Sequence, residues 1–187
     1  GDTPLEDKIG AVAMIPGSGE FAYDTIVQNK IGGEVVGSQF VQANGQVAVN
    51  QNNRSSKADA LVSLDELKKE LPNVQWISVV AGWFGDDLDA GVCVLKPGVE
   101  FNDGGTTSPE TWSVSSFTRS TARLITQIEG NPIYGGTPDD DGLVRYITEL
   151  RTRGYKILFY PFIFMDVTGK PWRGQITGSA ANVATFF

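Results

Sequence analysis

The stretch from Gly154 to Asp166 constrains the fold more than any other part of the chain. It holds a continuous apolar run, Ile157-Leu-Phe-Tyr-Pro-Phe-Ile-Phe-Met165, that closes on a carboxylate, Asp166. A run of this kind, rich in Phe, Ile and Tyr, reads as a strand buried on both faces. Such strands belong to parallel sheets covered by helices, and in those folds the binding and catalytic groups stand at the carboxyl ends of the strands. The run therefore predicts an α/β architecture and makes Asp166 a candidate site residue.

The segments before it repeat the pattern. Ile9-Gly-Ala-Val-Ala-Met-Ile15 reads as a first buried strand, ended by a turn at Pro16-Gly-Ser-Gly19. Residues 21–60 form a long polar insert, with a hairpin expected around Asn44-Gly45. Ser63-Leu-Asp-Glu66 has the form of a capping box, and Leu64, Leu67 and Leu71 repeat on one helical face before Pro72. Val74 to Phe84 reads as the second strand.

Residues 88–136 form a second long insert, in which Arg119 to Ile128 reads as a short helix with Arg119 and Arg123 on a solvated face. Thr137 and Pro138 open a better helix as cap and first position, three Asp occupy its positive end, and Gly154 stops it. Thr177 to Phe187 has the pattern of a further helix capped by Ser179, as though the fold continued past residue 187. The expected fold is thus a single domain over residues 1–187, the N-terminal part of a (β/α)8 TIM-like barrel with long inserts after its strands. A doubly wound sheet stays open, because three strands do not distinguish the two.

Several chemistries are excluded by what the chain lacks. It contains no histidine and a single cysteine, Cys93, so no Ser-His-Asp triad, Cys-His pair, His-ligated metal or internal disulfide can form within it. Cys93 reads as a small hydrophobe of the core, as do Trp76 and Phe159. The net charge of −7 disfavours a nucleic-acid surface, and no apolar run is long enough for a membrane-spanning helix. Pro16-Gly-Ser-Gly-Glu20 lacks the Gly-Lys-Ser/Thr ending of a phosphate loop. Asp86, Asp87 and Asp89 lack the closing Glu of a calcium loop, and helix-dipole compensation accounts for Asp139 to Asp141. No cofactor and no metal is expected.

Carboxylates remain for acid–base work. Glu20 follows the first strand, Asp86 and Asp87 the second, and Asp166 the third. Glycoside hydrolysis needs two carboxyl groups across a sugar bond, one protonated and one ionised, and aromatic side chains such as Trp83, Tyr160 and Trp172 suit stacking on sugar rings. The opposing reading is that loop acids and helix caps account for all of them.

Four stretches carry a resemblance: Ile15-Pro-Gly-Ser-Gly-Glu-Phe21; Trp83-Phe-Gly-Asp-Asp-Leu88; Trp112-Ser-Val-Ser-Ser-Phe-Thr-Arg119; and Tyr134-Gly-Gly-Thr-Pro-Asp139 running into Tyr160–Asp166 and Pro171-Trp-Arg-Gly174. Together they resemble the TIM-barrel-like, glycoside-hydrolase-like domain of the large tail or baseplate (host-specificity) proteins of alphaproteobacterial gene transfer agents and related siphophages. The resemblance implies a module made in the bacterial cytoplasm and carried in the tail of a virion or phage-like particle. It implies cell-envelope glycan and other tail proteins as partners. The residues that it assigns to a cleft are Glu20, Trp83, Asp86, Asp87 and Asp166. A catalytic pair would stand beyond Phe187, which leaves hydrolysis to the full-length domain. The alternative is a catalytically inactive structural or protein-interaction module of the tail. A third reading is an unrelated small-molecule α/β enzyme.

Overall fold

The computed structural model describes residues 3–16, 19–36 and 39–167. After a 3-10 turn at Glu6–Lys8 come β1 (Ala11–Met14), β2 (Asn29–Val36), β3 (Gln39–Ala48), α1 (Asp59–Glu70) and β4 (Trp76–Gly85). Eight short strands then follow: β5 (Leu95–Lys96), β6 (Gly98–Val99), β7 (Thr106–Ser108), β8 (Ser113–Val114), β9 (Phe117–Thr118), β10 (Arg123–Leu124), β11 (Gln127–Ile128) and β12 (Asn131–Pro132). The described chain ends with α2 (Asp140–Thr152) and β13 (Lys156–Met165).

The main sheet runs β1-β4-β13, with both outer strands parallel to β4, and β5 adds antiparallel to the end of β4. Ile77 and Val79 of β4 are fully buried against Ala60 and Leu64 of α1 and Tyr146 and Leu150 of α2, with Val12, Met14 and Ile157 at the margin. Leu67, Leu71 and Leu143 pack on the same cluster, as their helical spacing predicts. Tyr23 reaches over from the first insert. Its ring stacks on Tyr146 at 4.7 Å, and its hydroxyl lies 2.5 Å from the Met14 carbonyl oxygen and 2.8 Å from that of Val80, bridging β1 and β4. A second core joins Phe21, Val99, Trp112 and Val114 beneath the other insert.

The barrel expectation is overturned. Among the described residues there are two helices, the strands divide among several small sheets, and no barrel closes. β13 also departs from the doubly covered interior strand expected of it. Lys156 N–H donates to Gln75 O and Asp166 N–H to Gly85 O, and the register between is unbroken. Even-numbered residues therefore point their backbone groups at β4 and odd-numbered ones point away. Pro161, which has no N–H, falls on the outward side, where a further strand would need a donor. Among the described residues β13 is an edge of the sheet, and its faces are not both buried: Leu158 is 58% and Ile163 51% exposed. Trp76 and Phe159, expected in the core, are also exposed.

Local expectations are corrected in four places. Asn44-Gly45 lies inside β3, not at the hairpin turn: Ile31 pairs with Gln46 and Gly33 with Gln42, so residues 43–45 oppose Gly32 in a bulge. α1 starts four residues before Ser63, because the Asp59 N–H finds the Asn50 carbonyl (2.8 Å) and the Asp59 carboxylate takes the N–H of Asn52 and the amides of Asn52 and Asn53. The cap of α2 is Asp139, which accepts from Gly142 N–H at 2.9 Å. Thr137 is instead buried, donating to Gly82 O (2.7 Å) and accepting from Gly98 N–H (2.9 Å). Residues 119–128 form turns and short strands, not a helix. Gly154 ends α2 at φ +86, the left-handed conformation that glycine adopts without strain. The helix expected over 177–187, with Ser179 as its cap, lies outside the described residues.

Candidate functional site

Glu20 follows the end of β1 and is 3% exposed. Its oxygens take the Arg119 fork, Nη2 at 2.6 Å and Nη1 at 2.8 Å, and Oε1 also accepts the Glu100 N–H at 2.7 Å. Asp166 follows β13 and is 0% exposed. It accepts from Arg123 Nε (3.0 Å), Thr126 N–H (3.1 Å) and the Thr126 hydroxyl (2.6 Å), while Arg123 donates again to the Asp166 carbonyl. A buried charge needs a partner of this sort. The two arginines read as a solvated helix face are thus the cations that fasten the 88–136 insert to the two outer strands. They pair with Glu20 and Asp166 where both are shut off from solvent.

The other candidates are scattered. Asp86 is exposed and accepts from Val94 N–H at 2.7 Å; Asp87 accepts from Asp89 N–H at 2.8 Å. Both order the loop after β4. Trp83 is half-buried, packs on the second core, and meets Phe117 edge-on at 6.1 Å. Tyr160 is half-exposed on the β13 edge, with its ring 6.1 Å from that of Phe162. Trp172 lies outside the described residues. No hydrogen bond or ion pair joins any two of Glu20, Trp83, Asp86, Asp87 and Asp166.

A third buried ion pair was not legible in the sequence. Asp24, at the end of the first turn after Glu20, receives Nε and Nη2 of Arg145 at 2.8 Å each, and the same guanidinium binds both oxygens of Glu110. Burial alone would raise the Asp24 carboxyl. The Arg145 bonds, helped by Ile26 N–H and the Gln28 amide, outweigh it and hold the group below the usual carboxylate range.

What the structure brings together instead is an open cleft of about 390 Å³ between the β2 strand and the 88–136 insert. Lys30, Glu100, Asn102, Asp103 and Gln127 supply its polar wall, and Val49, Phe101 and Leu124 its apolar surface. A smaller cavity of about 60 Å³ continues past Glu100 towards Glu20 and Thr107. The Phe101 ring is clamped between cations, with Lys30 Nζ and the Arg119 guanidinium carbon each 3.7 Å from its centroid. Lys30 also lies 3.5 Å from Asp103.

Glu100 lies at the inner wall of the cleft, between it and the smaller cavity. Its Oε1 accepts from Gly136 N–H at 2.9 Å, and its carbonyl accepts from the Gln127 amide at 3.2 Å. Gly136 is required there: a Cβ at that position would collide with the Glu20 side chain. Burial pushes the Glu100 carboxyl above its ordinary value. The Gly136 bond opposes this, the Glu20 charge adds to it, and Arg119 and Lys30 offset part of the rise. Among the described residues no group of three or more acids or thiols stands as a metal site, and no helix is long and apolar enough to cross a membrane.

In sequence the cleft residues fall in separate segments, Lys30 and Val49 in the 21–60 insert, Glu100 to Asp103 in the 88–136 insert, and Leu124 and Gln127 in the stretch that reads as a helix; Asn102-Asp-Gly-Gly105 has the composition of a turn. The one available signal was that the turn carries two hydrogen-bonding side chains directly after Glu100 and Phe101. Comparison with family models and with curated proteins gives no match to the chain.

Proposed function

We propose that this protein is a binding module of a phage-type tail or baseplate, and that it engages cell-envelope glycan through the cleft around Glu100. The observation that carries the binding site is the cleft lining. Carboxylate acceptors, amide donors and acceptors, and an ammonium stand over an apolar surface, which is the mix that orients a polyhydroxyl ligand. The tail setting, with other tail proteins as partners, rests on the four ordered sequence stretches. Glu20 and Asp166 are each spent in an arginine ion pair, so the reading gives neither of them a part in bond cleavage.

A purely structural role in the tail is the second reading. It is favoured by the exposed apolar side chains Leu158, Phe159 and Ile163 on β13, which offer area for protein contacts.

The test is calorimetric titration of the full chain with soluble peptidoglycan fragments and surface polysaccharide. Asn102, exposed in the cleft, is the cleanest probe. Asn102→Ala is expected to lower affinity about fivefold, the value of one net hydrogen bond, with the melting temperature unchanged. Failure of every glycan to bind, or binding indifferent to Asn102, overturns the proposal.

A further inference from the structure

The cleft charges do not balance. Asp103 has Lys30 at 3.5 Å, and Glu20 behind the cleft holds both terminal nitrogens of Arg119. Glu100 has no cation within ion-pair distance among the described residues. Its one side-chain bond comes from a neutral donor, Gly136 N–H. The groups facing it are Glu20 and Arg119, already paired with each other, and Lys30, engaged by Asp103 and by the Phe101 ring. A half-buried carboxylate in this position lacks one thing that a ligand can bring.

We propose that the cleft takes a primary ammonium group of its ligand against Glu100, so that its glycan is one carrying free 2-amino sugars in place of N-acetylated ones. The inference rests on the glycan reading above and names the class of sugar. An ammonium supplies three donors to an acceptor-only carboxylate, and the bond is charge-assisted. The Asn102 amide, the Gln127 amide oxygen (its nitrogen donates to the Glu100 and Ile125 carbonyls) and the Asp103 carboxylate match ring hydroxyls, which favours an amino sugar over a simple amine. Binding of this kind needs Glu100 ionised. Affinity therefore rises with pH through the Glu100 titration, which burial has moved upward, and falls again once the sugar amine loses its proton.

The experiment titrates the full chain with a glucosamine trimer and with its N-acetylated counterpart across that pH range. The amino trimer is expected to bind about tenfold tighter near neutrality, which corresponds to ~1.4 kcal/mol. Glu100→Gln, which keeps an acceptor for Gly136 N–H, is expected to bring the ratio to about one and to flatten the pH profile. Glu100→Asp, which keeps the charge, is expected to retain a preference for the amine and guards against a folding defect in the Gln variant. A preference that survives Glu100→Gln, or equal binding of the two trimers by the parent protein, overturns the ammonium assignment and leaves the glycan proposal standing. Binding of neither trimer overturns this inference, and failure of all envelope glycans overturns both.

Discussion

Arg119→Met is the substitution whose effect the structure fixes most closely. Glu20 is 3% exposed and has three donors, two from Arg119 and one from Glu100 N–H. Methionine keeps much of the aliphatic volume and removes both charged bonds, together with the guanidinium over Phe101 and its bond to the Phe101 carbonyl. Removing one partner of a buried pair costs about 3–5 kcal/mol, because the other charge stays behind without compensation. Against a total stability of about 5–15 kcal/mol for a domain, that is a large fraction. Urea unfolding of the full chain is the assay: the midpoint should fall with the slope unchanged. The double variant Glu20→Gln/Arg119→Met is expected to recover most of the loss, since the neutral amide still accepts the Glu100 N–H and no orphan charge remains. A single-variant loss below about 1 kcal/mol, the level of an exposed ion pair, would refute the reasoning. So would a double variant no more stable than the single.

Two further perturbations follow from the same geometry. Asp24 titrates below the ordinary carboxylate range because Arg145 outweighs burial, so its folded-state pKa lies under the unfolded one. Its contribution is complete above the unfolded value and is lost as pH falls through the folded one. Asp24→Asn should therefore cost about 2 kcal/mol near neutral pH, the scale of a hydrogen bond to a charged group, because Arg145 keeps Glu110 as its partner, and flatten the acid limb of the melting-temperature curve; parallel curves for variant and parent would count against it. Pro161→Val adds an outward N–H to β13 without touching the ladder to β4. Stability should change by no more than about 0.5 kcal/mol, while sedimentation should show more self-association as the edge gains a donor. A variant that associates no more than the parent would remove the guarding role from Pro161.

Periodic elements were legible because their signal is local. The strands expected over 9–15, 74–84 and 157–165 appear as Ala11–Met14, Trp76–Gly85 and Lys156–Met165, and the Leu64, Leu67, Leu71 face packs as its spacing implies. The 88–136 insert was not legible, because its strands are only two or three residues long and several of its contacts are made with partners far along the chain. β6 pairs with β10, and Arg119 and Arg123 find Glu20 and Asp166 across 99 and 43 residues. Nothing in an Arg-x-x-x-Arg spacing distinguishes two arginines on a helix face from two that are each drawn to a different buried acid. The same holds for Thr137: its sequence context fits a cap, and only the approach of Gly82 and Gly98 decides that its hydroxyl is spent on their backbone. Because the cleft is built where these long-range contacts meet, it was hidden for the same reason.

The strand from Lys156 to Met165 carries the remaining lesson, about what an apolar run reports. Hydrophobicity along a strand measures how favourable burial would be, not whether anything covers it. Backbone donors impose a stricter test: an interior strand donates to neighbours on both sides, and a proline forfeits one of those bonds. Pro161 sits near the middle of the run, so the sequence already argued that the strand has at least one open side. Which side depends on parity. Only the Lys156-to-Gln75 and Asp166-to-Gly85 bonds fix odd residues as outward-facing. Had Pro161 fallen at an even position, it would have broken the ladder to β4 at its pairing with Ala81. At its actual position it leaves the β4 ladder whole and denies a donor to any strand approaching from outside. The exposed Leu158, Phe159 and Ile163 therefore stand on an edge that can meet a partner by its faces more readily than by extending the sheet.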